Sequence, residues 1–227
     1  MDRKKYLILA GGRPGIVISG KDVLQLTLER FAAVCPDIRV ILVLPPEDID
    51  SWRNYCAVRN FNLPQRLVTT GFTPFHSLRN ALAEVPDGVL AIVHDADRPL
   101  VSTGLIAGML RRMEEGARAL IPVVPAEGDV KTVRREEGIT GSFSPEEGEV
   151  LLAQTPQMFL SEDLKAAYAQ PYSTDFTDAA SVVAARIKIP LVPVRGERYN
   201  LKVCDPQDAA VARVVLREVI PAYKKRS

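Results

Sequence analysis

Residues 88–99 read GVLAIVHDADRP, an apolar run that turns within one residue into a cluster of charge. A short apolar run of this kind, bounded by turn residues, suits a strand buried on both faces, and such a strand needs a layer packed on each side. The rest of the chain supplies those layers. The runs KYLILA (5–10), IRVILVLP (38–45), RLVTT (66–70), ALIPVV (119–124) and PLVPV (190–194) alternate with stretches of helical period. Leu24, Leu28, Phe31 and Cys35 fall at i, i+4, i+7 and i+11 on one helical face. Further helices are predicted around 47–58, through Phe75, Leu78 and Leu82, and near 103–115, 161–169 and 177–187. A last helix has Asp205 as its cap, Pro206 in its first turn and Asp208 near the positive end of its dipole. This alternation predicts an α/β fold, a mostly parallel twisted sheet with helices on both faces.

The length of 227 residues fits one domain over 1–227 with an excursion. The excursion is PAEGDVKTVRREEGITGSFSPEEGEVLL (125–152), polar, turn-rich and without helical period, which predicts a protruding hairpin or arm. With 29 basic against 28 acidic residues, no charge bias points to nucleic acid or a membrane surface as partner. Cys35, Cys56 and Cys204 are odd in number and form no C-x-x-C pair, so a reducing cytoplasm is the expected location. The opening apolar run, Tyr6 to Ala10, is too short for a signal-peptide core, and no run of about 18 apolar residues is present to span a bilayer.

Ligands of open α/β sheets bind outside the carboxyl ends of the strands, so the residues just after each strand are the candidates. Ala10-Gly11-Gly12 follows the first strand, where glycines let a ligand approach main-chain N–H groups that hold phosphate oxygens. It matches neither G-x-G-x-x-G nor the P-loop pattern, and a plain glycine turn is an equal reading. HDADRP (94–99) puts Asp95 where a carboxylate can hold Mg²⁺ against a triphosphate. The competing reading is that Asp95, Asp97 and Arg98 only cap and pair within a loop. His94 reads as a packed strand-end residue, because His76 is the one other histidine and no metal cluster is available. The third set is QTPQMF (154–159), TDFTDAAS (174–181) and YNLKVCDPQD (199–208), whose Thr, Asp and Lys taken singly are caps and solvated charges.

In their order along the chain, ILAGG, HDADRP, AQTPQMF, FTDAAS and NLKV resemble the motifs of the 2-C-methyl-D-erythritol 4-phosphate cytidylyltransferase family of the non-mevalonate isoprenoid pathway. The resemblance covers nearly the whole chain. It implies a Rossmann-like nucleotidyltransferase fold, a homodimer clasped by the arm at 125–152, and Mg²⁺-dependent attack of a substrate phosphate on the α-phosphorus of CTP with release of pyrophosphate. By matched position, it implies that Asp95 holds Mg²⁺ and contacts the substrate, that Arg98 and Thr177 lie near the substrate phosphate, and that Lys202 stabilises transition-state charge. Ala10, Gly11, Gly12, Ser77, Asp95 and Ala96 would line the CTP pocket.

The chain departs from the family pattern at several basic positions. The family follows A-[AG]-G with G-x-G-x-R-M and then P-K-Q, whereas AGG here meets RPGIVISGKDVLQ directly, and Lys21 belongs to a later G-K-P-[IV]-L-like segment. TGFTPFHSL (70–78) has Pro74 where G-G-x-x-R-x-x-S-V has arginine, and the arm's arginine falls at Glu147. The family's D-T-x-K reads DVK from Asp129, leaving Thr132 as the nearest threonine, and Ala179 stands at an acidic position of T-D-[DE]-A-S. Losing one preorganised cation at phosphoryl transfer costs roughly 10² or more in rate, so a weakened catalyst is expected unless other groups compensate. Two alternatives to the methylerythritol phosphate enzyme therefore stand beside it: a nucleotide-binding or regulatory module without catalysis, and a cytidylyltransferase for another polyol phosphate such as ribitol 5-phosphate.

Overall fold

The computed structural model describes residues 3–127, 131–134, 138–142 and 149–220. In chain order the strands are β1 (Lys5–Ala10), β2 (Val17–Ile18), β3 (Lys21–Asp22), β4 (Arg39–Leu44), β5 (Gln65–Thr69), β6 (Leu90–Asp95), β7 (Ala119–Pro125), β8 (Lys131–Arg134), β9 (Gly138–Ser142), β10 (Leu151–Ala153), β11 (Gln157–Leu160) and β12 (Val192–Arg195). The helices are α1 (Val23–Val34), α2 (Ile49–Val58), α3 (Pro74–Leu82), α4 (Thr103–Glu114), α5 (Ser161–Tyr168), α6 (Ala179–Arg186) and α7 (Pro206–Glu218). Eight strands form the main sheet, in which β6, β1, β4 and β5 run parallel side by side and β12 runs parallel to β7. Within this sheet, among the described residues, only β10 and β11 are antiparallel to their neighbours.

Alternation along these strands divides the core between two faces. Leu7, Leu9, Leu42, Leu90 and Ile92 pack with Leu24, Leu28, Phe31 and Cys35 and with Ile106 and Met109 of α4. Their sequence neighbours Ile8, Ile41, Val43 and Ala91 pack instead with Phe75, Leu78 and Leu82 of α3 and with Leu164 and Val183 of α5 and α6. The sheet is thus covered by helices on both faces, and the apolar spacings expected from the sequence are those that touch it. At α7, the Asp205 carboxylate accepts from the main-chain N–H of Gln207 and Asp208, both at 2.8 Å, as a cap should.

Two details differ from the sequence expectation and both position the site. The stretch assigned to the arm, 125–152, overlaps the main sheet at each end, since Pro125 closes β7 and Leu151 and Leu152 pair with it in β10. The β10 signal is weak because all three of its residues are exposed. The arm itself contains an antiparallel pair, β8 with β9. Asp129 and Glu147 lie outside the described residues, as does the Thr132 side chain. The second detail is a bulge. Between the Phe159–Ala119 and Ala153–Val123 pairs the register slips by two residues: Gln154 still donates to the Pro122 carbonyl at 2.7 Å, while Thr155 and Pro156 leave the ladder. That excursion carries Thr155 over the end of β6.

Candidate active site

The carboxyl ends of β1 and β6 lie side by side, with Ala10 paired to Asp95, and open onto a cleft of about 450 Å³. Of the residues singled out from the sequence, Ala10, Gly11, Ser77, Asp95, Thr177 and Lys202 line it. Gly12, Ala96 and Arg98 do not. Gly12 is buried, and a Cβ there would come within 2.9 Å of both Ala96 Cβ and Leu24 Cδ2, so its need for glycine is the close packing of α1 on the strand-end turn. Ala96 is fully buried, with its N–H donated to Ala10 at 2.8 Å and its carbonyl accepting from the Thr27 hydroxyl at 2.8 Å. Gly11 is different: its φ of +82° demands glycine, and it stands over Asp95, whose Oδ1 lies 3.9 Å from where a Cβ would be.

Asp95 is the centre of a connected polar set. Its Oδ2 accepts from Arg98 Nε at 2.8 Å and faces Lys202 Nζ at 3.3 Å. Its N–H donates to Thr155 Oγ1 at 3.0 Å. Arg98 Nη1 donates to the Asn200 carbonyl at 2.5 Å, and Asn200 Nδ2 donates to the Thr155 carbonyl at 2.7 Å. Burial pushes the Asp95 carboxyl up, but the Lys202 charge and the Arg98 hydrogen bond and charge outweigh it and hold the group below its ordinary value. Asp97, two residues on, is less fully compensated: burial raises it, over the pull of the Lys202 charge. His94 is buried behind the pair. Its ring nitrogen Nε2 donates to the Arg98 carbonyl at 3.1 Å, and burial lowers its pKa to about 4, so it is neutral at pH 7.

The opposite end of the cleft is aromatic. Phe75 stacks on Tyr168 at 4.8 Å and on Phe176 at 5.6 Å between ring centroids. Phe72 stands fully exposed on the lip. Thr73 caps α3, Pro74 occupies its first turn, and Ser77 Oγ accepts from the Gly71 N–H at 2.9 Å, which fixes the lip to the helix. Gly71 admits no side chain, since a Cβ there would lie 2.6 Å from His76 Cβ. The cleft thus suits a ligand with a flat ring at one end and anionic groups at the other.

Positive charge is scarce. Among the described residues that line the cleft, Lys202 is the one lysine or arginine. Arg13, the cation of the shortened segment after AGG, turns away to Asp48 at 2.7 Å and Glu47 at 3.5 Å. Lys21 pairs with Glu29 at 2.7 Å. The segment itself folds into a small hairpin, β2 with β3, around Ser19 and Gly20, both at positive φ, a two-residue turn of the type hairpins favour. Asp22 then caps α1 through Leu24 N at 2.8 Å and also accepts from Gly15 N at 2.6 Å.

The segment from residue 13 to 218 matches the family model described as 2-C-methyl-D-erythritol 4-phosphate cytidylyltransferase. The chain belongs to that family. Relatives bearing the same name are those of Porphyromonas gingivalis, 36% identical over 95% of this chain and 99% of that one, and of Bacteroides fragilis, 39% identical over 92% and 98%. The crystal structure of the 2-C-methyl-D-erythritol 4-phosphate cytidylyltransferase of Thermus thermophilus superimposes with a TM-score of 0.71, at 27% identity, covering 95% of this chain and 100% of that one. The fold is therefore that of the cytidylyltransferase family, and the protein is a nucleotidyltransferase.

Geometry gives Thr155 and Asn200, which lie in the motifs QTPQMF and NLKV but have no role assigned from sequence, a place in the site: the Thr155 hydroxyl accepts the Asp95 N–H, and Asn200 Nδ2 donates to the Thr155 carbonyl. No group of three or more His, Cys, Asp or Glu side chains able to hold a metal occurs among the described residues. A cation here would need phosphate oxygens beside the Asp95 carboxylate, the arrangement hard Mg²⁺ ordinarily takes. Asp95 Oδ1, which faces Gly11 and the cleft rather than the two cations, fits that role. No helix among the described residues is long and apolar enough to cross a membrane.

Proposed function

We infer that the protein joins CTP and 2-C-methyl-D-erythritol 4-phosphate into the CDP-linked polyol with release of pyrophosphate, a step of isoprenoid precursor synthesis. The observation that carries this reading is the Asp95 carboxylate at the end of β6, gripped by Arg98 and Lys202 and open to the cleft beside Gly11. CTP lies with its ring toward Phe72 and Ser77 and its phosphates across Gly11 toward Asp95. Asp95 Oδ1 would hold Mg²⁺, which when bound supplies positive charge to neutralise phosphate oxygens. Lys202, 44% exposed, neutralises charge on the phosphates as the polyol phosphate oxygen attacks the α-phosphorus and pyrophosphate departs in line. Arg98 is mostly buried; its contribution is to hold Asp95 ionised and in place. Thr177, exposed on the rim, meets the polyol phosphate. Lys202 is the one lysine or arginine among the described residues lining the cleft, so little side-chain charge is available there for neutralisation.

The whole chain acts as one nucleotidyltransferase domain whose arm at about 125–152 clasps a second copy. The enzyme works in the cytoplasm, in keeping with three free thiols. The test is pyrophosphate release with CTP, Mg²⁺ and methylerythritol phosphate, run in parallel with ribitol 5-phosphate. Turnover that requires methylerythritol phosphate is expected; turnover only with the pentitol phosphate replaces the substrate. If a folded preparation gives none, calorimetry with CTP separates a binding module from an empty pocket.

A further inference from the structure

Lys202 stands on a segment with no regular structure, residues 200–204, yet its charge must meet a carboxylate carried by a strand. Between Val194 of β12 and Val203, Asn200 is the one buried residue, and it is completely buried. A buried amide is a costly choice there, because its Oδ1 finds no partner among the described residues, while an apolar side chain of similar size would fill the space without that penalty. What the amide supplies is a donor. Nδ2 grips the Thr155 carbonyl at 2.7 Å, and Thr155 is the same residue whose hydroxyl accepts the Asp95 N–H at 3.0 Å. Both partners of the Asp95–Lys202 pair are thereby referred to one anchor. Neighbouring bonds fix the rest of the segment: Gln154 exchanges two hydrogen bonds with the Glu197 main chain at 2.8 and 3.0 Å, and Val203 N donates to the Asp97 carbonyl at 2.8 Å.

We propose that Asn200 is a positioning residue for the transfer reaction, setting Lys202 against Asp95 by tying the 200–204 segment to Thr155. The proposal rests on the cytidylyltransferase reading. Misplacement of a reacting group by about 1 Å can cost on the order of 10² in rate, so loss of the tie should act on kcat. Asn200→Leu, which keeps the buried volume, should lower kcat tenfold or more while KM for CTP changes less than threefold. In a Lys202→Met background the same change should cost less than twofold, because the lysine it positions is already gone. Equal losses in both backgrounds, or an unchanged kcat in a folded Asn200→Leu protein, overturn the proposal. Should the leucine variant fail to fold, Asn200→Ser is taken through the same cycle. An inactive wild type would count against the cytidylyltransferase reading alone. The positioning claim is then decided by amine acylation followed by mass spectrometry: Asn200→Leu should raise labelling of Lys202 at least threefold and leave the exposed Lys188 unchanged, and equal labelling of Lys202 in both proteins overturns it.

Discussion

At one end of the cleft two cations converge on one oxygen of Asp95, and Thr155 and Asn200 bind that pair from behind; at the other, Phe75, Tyr168 and Phe176 lie ring on ring with Phe72 standing clear on the lip. The first is a ring of hydrogen bonds in which each group satisfies the next, so deleting one member leaves others unpaired. The second is a stack whose stabilisation follows buried area and contact, so it yields in portions. The polar end should therefore fail as a unit and the aromatic end by degrees.

The largest effect is expected at Lys202. Lys202→Ala removes the one basic side chain that lines the cleft among the described residues, and should reduce kcat by roughly 10² or more. Its side chain is 44% exposed and makes an ion pair at 3.3 Å, so thermal stability should hardly move. Steady-state kinetics beside a melting curve test both halves. A parallel fall in stability would make the lysine a brace for Asp95 rather than a charge free to meet the phosphates.

Next comes acid. An unfolded histidine titrates near 6.5, but buried His94 takes up its proton only at about 4. Between those values the unfolded chain binds the proton and the folded chain does not, so stability falls as pH drops through that window, by about 3 kcal/mol in all. Asp95 acts in the same direction at lower pH, where its depressed carboxyl is at last protonated, while Asp97, raised by burial, opposes both. Urea unfolding at pH 7, 5 and 4 should show the loss, and His94→Gln should flatten the upper part of it. An unchanged slope in that variant would place the acid sensitivity elsewhere in the polar set.

The same contrast explains what could be read from sequence. Periodicity exposed the layers because burial enforces it: Leu7 and Leu9 face one helix layer, and Ile8 between them faces the other. Asp95 and Lys202 were legible because a carboxylate ending a buried strand and a lysine in an ordered set of motifs are signals of residue type. Thr155 and Asn200 lay in the same motifs but without a legible role, since a side chain that bonds a main-chain N–H or carbonyl on another element leaves no mark of that partner in sequence. The fate of Arg13 was hidden for a related reason, its partners Glu47 and Asp48 lying more than thirty residues away. The Ser19-Gly20 turn did carry a signal, a turn dipeptide between two short runs that pair. β10 had too little: three exposed residues paired to the end of β7.

At the aromatic end, Phe72→Ala should leave the melting temperature unchanged, because a side chain fully exposed in the folded chain contributes no burial. If Phe72 stacks on the base of CTP, KM for CTP should rise about fivefold, the lower range of what one base–aromatic contact supplies, with kcat nearly constant. A fall in kcat instead would mean that the two ends are coupled.

The smallest effect is expected at Tyr168→Phe. The ring is buried and stacked on Phe75, and the variant keeps that contact while removing only the hydroxyl. Burial and the nearby Asp178 push the phenol well above its ordinary pKa, so the group is neutral at pH 7 and no charge is lost with it. A change of about 1 kcal/mol or less in stability and less than twofold in KM for CTP is therefore expected, measured by chemical unfolding and steady-state kinetics. A tenfold loss of activity would show that this hydroxyl belongs to a polar network, and that the aromatic end, like the other, fails as a unit.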